Sequence, residues 1–220
     1  MKLSFLLEQA RNSELFSLSN NKFTDQVIIS YINLAMIELY NRFDLATEEA
    51  IVTLRSNIPK TVYTLASTDP DVKVKGKPIV DHTFKTIIAV FNNKGIQVSL
   101  NDPTDPYSIY TVSYNQIQVP LLKDNNYLSV IYSCNPEPIV YQDDGNDHAV
   151  DQEIRIPTQL IEAVLHYIGY RAYLAIDGGN QSKADMYYKY FLSACNQADM
   201  LGTVLSETLP AIDVVKRGYL

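Results

Sequence analysis

The sequence predicts an α+β fold: an antiparallel helical bundle built from N-terminal helices and a C-terminal helix pair, an antiparallel β module inserted between them, and an extended C-terminal arm. Three observations lead there. Thr158 to Leu201 carries apolar residues at helical spacing on both sides of an Asp177-Gly178-Gly179-Asn180 turn. Asp25 to Phe43 carries another helical stripe. Between these stretches, short β-rich runs alternate with turn chemistry and show no helical period. The expected division is a discontinuous helical domain over 1–46 and 155–202, a β module over 47–154 and an arm over 203–220.

Residues 2 to 11 read as a first helix, with Leu3, Leu6, Leu7 and Ala10 on one side. The polar stretch Ser17 to Lys22 interrupts it. Thr24 is a good N-cap for the second helix, and Asp25 sets negative charge where the helix dipole favours it. Ile28, Ile32, Ala35, Leu39 and Phe43 form its stripe.

The pattern then changes. Ala50 to Arg55 and Thr61 to Leu65 read as strands, and the following STDPDVKVKGKPIVDH as a loop with a short strand. Lys73, Lys75 and Lys77 alternate there, as in an edge strand kept soluble by lysines. Lys85 to Asn92 and Ile96 to Leu100 flank Asn93-Lys94-Gly95, a hairpin signal. Ser108 to Tyr114 and Ile117 to Val119 flank Asn115-Gln116, a second hairpin. Asn126 to Cys134 is the last strand.

In the helix pair, Ile161, Val164, Leu165, Ile168, Ala172 and Ala175 mark one buried stripe, and Tyr187, Phe191, Ala194, Ala198 and Leu201 the other. Ser182 with Asp185 reads as a near-capping box at the start of the second helix. So short a connection makes the two helices antiparallel neighbours. The tail, with Pro210 at its middle and alternating Val204, Leu209, Ile212 and Val214, suits an extended arm that is either disordered or ordered by a partner.

Composition bounds the function. At 220 residues with 46% apolar content the chain can bury a real core. No apolar run approaches the roughly 18 residues of a membrane span, and the first residues lack a signal-peptide pattern. Two isolated cysteines, Cys134 and Cys195, fit reduced core positions and intracellular synthesis. The net charge of −7 argues against a dedicated nucleic-acid-binding surface. The 16 Tyr and 7 Phe suit protein–protein contacts, although AT-rich codon usage accounts for much of that content.

No catalytic constellation is visible. Glu48 and Glu49 would face opposite sides of a strand. His82, His148 and His166 fall in three different elements. The densest carboxylates, Asp143, Asp144 and Asp147, lack EF-hand spacing, and a solvated loop is the better reading than a metal site. No cofactor is implied. An enzyme would need a site assembled from dispersed residues.

Three segments carry a resemblance. FTDQVIISYINLAMIELYNRFDLA has an acidic start, an Asn midway and an aromatic-rich end. NYLSVIYSCNPEPIV is a hydrophobic strand followed by a small-residue and proline turn. IRIPTQLIEAVLHYIGYRAYLAIDGGNQSKADMYYKYFLSAC is a helix pair with a Tyr-Arg-Ala-Tyr core. Together they resemble the head-to-tail adaptor (connector, or neck-ring) proteins of tailed bacteriophages, especially short-tailed ones of podovirus type. The Asp-rich loop after Pro138 and the tail after Gly202 depart from that pattern.

The resemblance implies a non-enzymatic virion protein of the neck and tail region, made in the host cytoplasm. It would form a ring, commonly of twelve copies, beneath the portal. Its partners would be further copies of itself, the portal protein, tail nozzle or fibre proteins, and double-stranded DNA in transit. No membrane partner is implied. Tyr167, Tyr170, Arg171 and Tyr173 are then candidate subunit contacts, with packing inside the chain as the alternative reading. Leu205, Leu209, Ile212, Val214 and Tyr219 are candidates for an arm docked on the portal or a neighbouring subunit. A β-rich tail protein that binds a receptor or carbohydrate is the competing function class.

Overall fold

A computed structural model of the chain describes residues 1–12, 23–54, 62–66, 69–74, 84–120, 127–142, 151–176 and 180–201. It is α+β, with four α-helices among the described residues and antiparallel sheets. Two compact units emerge. One joins Met1–Phe43 to the chain from Pro136 through the last helix, and the other spans Asp44–Asn135.

In the helical unit, α1 (Leu3–Arg11) buries Leu3, Leu6, Leu7 and Ala10. No local side chain caps it. Its first turn is satisfied from far along the chain, where Asp151 Oδ1 accepts from the Ser4 N–H at 3.1 Å. The residues before it pair like a short strand with 151–154: the Leu3 N–H donates to Gln152 O at 2.8 Å and the Ile154 N–H to Met1 O at 2.6 Å. The Met1 ammonium completes this pairing by donating to Ile154 O at 2.9 Å.

Helix α2 (Asp25–Arg42) buries its expected stripe and also Ile29, Met36 and Tyr40. The Thr24 hydroxyl makes no cap bond; its backbone carbonyl takes the Val27 and Ile28 N–H groups instead. Asp25 does more than complement the dipole. It is buried and accepts a short hydrogen bond from the Arg11 guanidinium, which ties α1 to α2. The Asn33 amide clamps the segment after the last strand, donating to Ile139 O and accepting from Ile139 N–H, each at 2.9 Å. Tyr40 donates to Arg155 O at 3.2 Å. These bonds explain why the stretch from Pro136 goes with the helices and not with the strands.

A 3₁₀ turn (Thr158–Leu160) leads into α3 (Ile161–Ala175), and α4 is Gln181–Met200. The N-cap of α4 is Asn180, whose side chain accepts from the Lys183 N–H at 3.1 Å. Ser182 therefore lies inside the first turn and is not the cap. Asn is at least as good a cap as Ser, and this one comes two residues earlier. The Asp177-Gly178-Gly179 part of the connection lies outside the described residues.

The β unit has strands β1 (Thr47–Thr53), β2 (Val62–Thr64), β3 (Val72–Val74), β4 (Phe84–Asn92), β5 (Gln97–Val98), β6 (Tyr110–Ser113), β7 (Gln116–Gln118) and β8 (Tyr127–Cys134). A five-stranded sheet runs β3-β1-β8-β4-β5 and a three-stranded sheet β2-β7-β6, with every pairing antiparallel. Ala50, Val52, Leu128, Val130 and Tyr132 of the first sheet share one apolar core with Tyr63 and Ile117 of the second. In the β4–β5 hairpin Gly95 adopts φ 73°, and Asn92 Oδ1 accepts from the Lys94 and Ile96 N–H groups. Strand β3 is a sheet edge with Lys73 exposed; Lys75 and Lys77 lie outside the described residues.

Candidate assembly surface

Helix α3 carries the four expected subunit-contact residues, Tyr167, Tyr170, Arg171 and Tyr173. Tyr167, Tyr170 and Tyr173 recur every three residues, so they climb one side of α3. Their rings meet those of α4 in descending order: Tyr167 with Phe191 at 5.2 Å, Tyr170 with Tyr188 at 5.0 Å and Tyr173 with Tyr187 at 5.3 Å between centroids. Rising numbers on one helix against falling numbers on the other make the pair antiparallel. The rings are tilted or edge-on, the arrangements that aromatic quadrupoles favour. Gly169 permits the close approach. A Cβ there would stand 2.5 Å from Cδ1 of Tyr187.

This packing sorts the four candidates. Tyr167 and Tyr173 are buried, whereas Tyr170 and Arg171 stay partly exposed. Burial raises the Tyr167 hydroxyl above its ordinary pKa, with the Arg171 guanidinium opposing. The same two influences act on Tyr31 of α2, so Arg171 sits in the field of two tyrosines on different helices. The Lys183 ammonium lies 5.3 Å from the Tyr173 ring centroid, a cation–π contact at the turn end of the pair.

Several apolar positions lie outside the buried stripes. On α2, Leu34 and Ile37 are exposed by 36% and 49%. On α4, Met186, Tyr190 and Met200 are exposed. In the β unit, Val62, Val112 and Tyr114 are exposed on the three-stranded sheet or just beyond its β6 strand. The available signal was a second helical period out of phase with the buried one.

The other candidates separate cleanly. Asp143, Asp144 and Asp147 lie outside the described residues, as do His82 and His148. The arm positions Leu205, Leu209, Ile212, Val214 and Tyr219 do so too. Among the described residues no group of three His, Cys, Asp or Glu side chains is placed to hold a metal. His166 stands 3.4 Å from Glu162 Oε1, one turn away, and beside the Tyr187 and Tyr190 rings. Glu48 and Glu49 are on opposite faces of β1. Glu48 accepts from the Tyr132 hydroxyl at 3.0 Å and Glu49 from the Ser129 hydroxyl at 2.5 Å. Burial, and then the Glu48 carboxylate, push the Tyr132 pKa up. Both cysteines are free and buried. Burial pushes the Cys195 thiol up to about 11. No helix among the described residues is long and apolar enough to cross a membrane.

A family model described as SU10 adaptor protein matches residues 1–208. No curated protein matches the chain.

Proposed function

The chain belongs to the SU10 adaptor protein family, and from that premise we propose that it is a head-to-tail adaptor of a tailed phage, forming a ring beneath the portal that continues the DNA channel and carries the tail. Adaptor membership makes it a structural virion component that associates with other virion proteins. The ring, its twelve copies and the short-tailed, podovirus-type virion are the finer reading. The observation that carries it is the match over 1–208, which takes in both units and every described element.

The physical chemistry agrees with such a role. A net charge of −7 disfavours adhesion of DNA to the channel wall, so that DNA passes without sticking. Two compact units offer separate surfaces, one for neighbouring copies and the portal, the other for tail nozzle or fibre proteins. Tyr170 and Arg171 are the part of the α3 set left accessible for a neighbour, and Tyr and Arg are enriched at interface centres. Exposed Val112 and Tyr114 suit a tail-facing contact of the β unit. The arm 203–220 docks on the portal or on an adjoining subunit; from 209 onward it lies beyond the matched residues.

The test is the mass and symmetry of the particle formed on mixing the chain with its portal, read by mass photometry and negative-stain imaging. A twelve-fold ring on the portal is expected. A small oligomer with no portal affinity overturns the reading in favour of a β-rich binding module. Deleting 203–220 is expected to leave a folded chain that no longer joins the portal. Undiminished assembly after deletion removes the arm from the interface.

A further inference from the structure

Two stripes of the helical unit are exposed among the described residues. On α2, Gln26, Ser30, Leu34, Ile37 and Asn41 follow one another by three or four positions, and all are exposed. On α4, Met186, Tyr190, Ser193, Gln197 and Met200 do the same, with Met186 at 38%, Tyr190 at 47% and Met200 at 88% exposure. The five residues of each stripe are uncharged, with exposed Lys189, three residues after Met186 and four before Ser193, at the margin of the α4 stripe. The outward face of a helix is ordinarily where charges collect. Here Asp25, Glu38 and Arg42 of α2 lie off its stripe, and on α4 Asp185, Lys189 and Asp199 lie to one side of the stripe and Lys183 to the other.

We propose that the α2 stripe of one copy packs lengthwise on the α4 stripe of the next, forming the head-to-tail seam of the ring. This rests on the ring reading above. Charge selects the occupant. Nucleic acid or a strongly charged protein would be met by a run of opposite charge, whereas the charges here stand only at the margins, Glu38 beside the α2 stripe and Lys183 and Lys189 beside the α4 stripe. Copies of this chain each carry −7 and repel one another, so a charge-free seam is the surface through which they can approach. Length agrees: 18 and 20 residues correspond to about 27 and 30 Å of helix. Spacings of three and four are those of side chains that interlock between adjacent helices. Pairing α2 with α2 would close at two copies and leave the α4 stripe bare. Pairing two different stripes uses both and repeats.

The experiment uses the full chain and two variants, Ile37→Glu and Tyr190→Glu, followed by mass photometry and sedimentation. Both positions are exposed, so far-UV circular dichroism and thermal melts should match wild type; Ile37→Ser and Tyr190→Ser replace either variant that does not fold. Each variant alone is expected to need at least about tenfold more protein to self-associate. Mixed one to one, they should form a heterodimer and stop there. The Ile37→Glu copy retains an intact α4 stripe and the Tyr190→Glu copy an intact α2 stripe. Variants that assemble like wild type, or that stay monomeric when mixed, overturn the seam while leaving the ring reading standing. A wild-type chain that remains monomeric beside its portal overturns the ring reading, and the seam with it.

Discussion

At Gly169 a single methyl group would meet the ring of Tyr187, which Tyr173 and Tyr190 already flank. Overpacking costs roughly 1–3 kcal/mol, while replacing a helical Gly by Ala returns about 1 kcal/mol. Gly169→Ala should therefore lower stability by on the order of 1 kcal/mol in a urea titration, and adding Tyr187→Leu should recover part of it. Asn180 makes a similarly local prediction. Asn180→Ala removes the α4 cap and should cost about 1 kcal/mol, with Ser182→Ala close to neutral. Asp151 supplies a pH dependence. The Ser4 N–H, chiefly, and Lys2 hold its carboxyl below the usual carboxylate range. A lowered folded pKa stabilises the fold above the unfolded value, near 4, and that contribution fades as pH falls through the folded value. The difference in melting temperature between wild type and Asp151→Asn should thus be full at neutral pH and shrink below about pH 4. Cys195, buried with its thiol pushed up to about 11, and buried Cys134 should resist thiol reagents until the chain unfolds, as absorbance-based labelling with and without denaturant would register.

Among the elements, legibility followed period except at the helix ends, where Ala175 and Leu201, expected on the buried stripes, are exposed. The β4–β5 hairpin was readable because Gly95 and Asn92 are residues that its turn demands. The β6–β7 hairpin was readable from its polar break, although the turn is Tyr114-Asn115 and Gln116 already belongs to β7. Strand β1 starts at Thr47, three residues before the expected Ala50, because Glu48 and Glu49 find hydroxyl partners across β8. No run of β-branched residues signals that extension. The acidic start of α2 was visible, but its ion pair with Arg11 was not, since side chains 14 positions apart on different helices leave no periodic trace. Asn33 makes the same point. Its place midway along α2 stood out in the sequence, yet the reason lies 106 residues away at Ile139. Asn33→Ala removes both bonds and should cost about 1–2 kcal/mol by thermal melting, whereas Asn33→Asp keeps one acceptor and should cost less. The contact candidates divided for a physical reason as well. A tyrosine suits a core and an interface equally, and only the neighbouring helix shows that Tyr167 and Tyr173 are buried while Tyr170 and Arg171 stay accessible.

For the molecule as a whole, the α+β class and the antiparallel sheets followed from pattern, while the bonds that join distant segments did not. The helical unit is assembled from the two ends of the described chain. Its closing bonds span 153 residues at Met1 and 106 at Asn33. The described strands of the β unit, by contrast, all lie between Asp44 and Asn135. During synthesis, α1 and α2 leave the ribosome long before Asp151, Ile139 or α3 exists. The strands between them are completed first, and the described strands pair with one another. The β unit is then free to fold while the early helices wait with Leu6, Ile28 and Ile32 uncovered, a period in which they depend on chaperones or on the speed of translation. Pausing translation once Asn135 has cleared the ribosome should leave a protease-resistant β unit attached to cleavable helices, and release of the full chain should protect both.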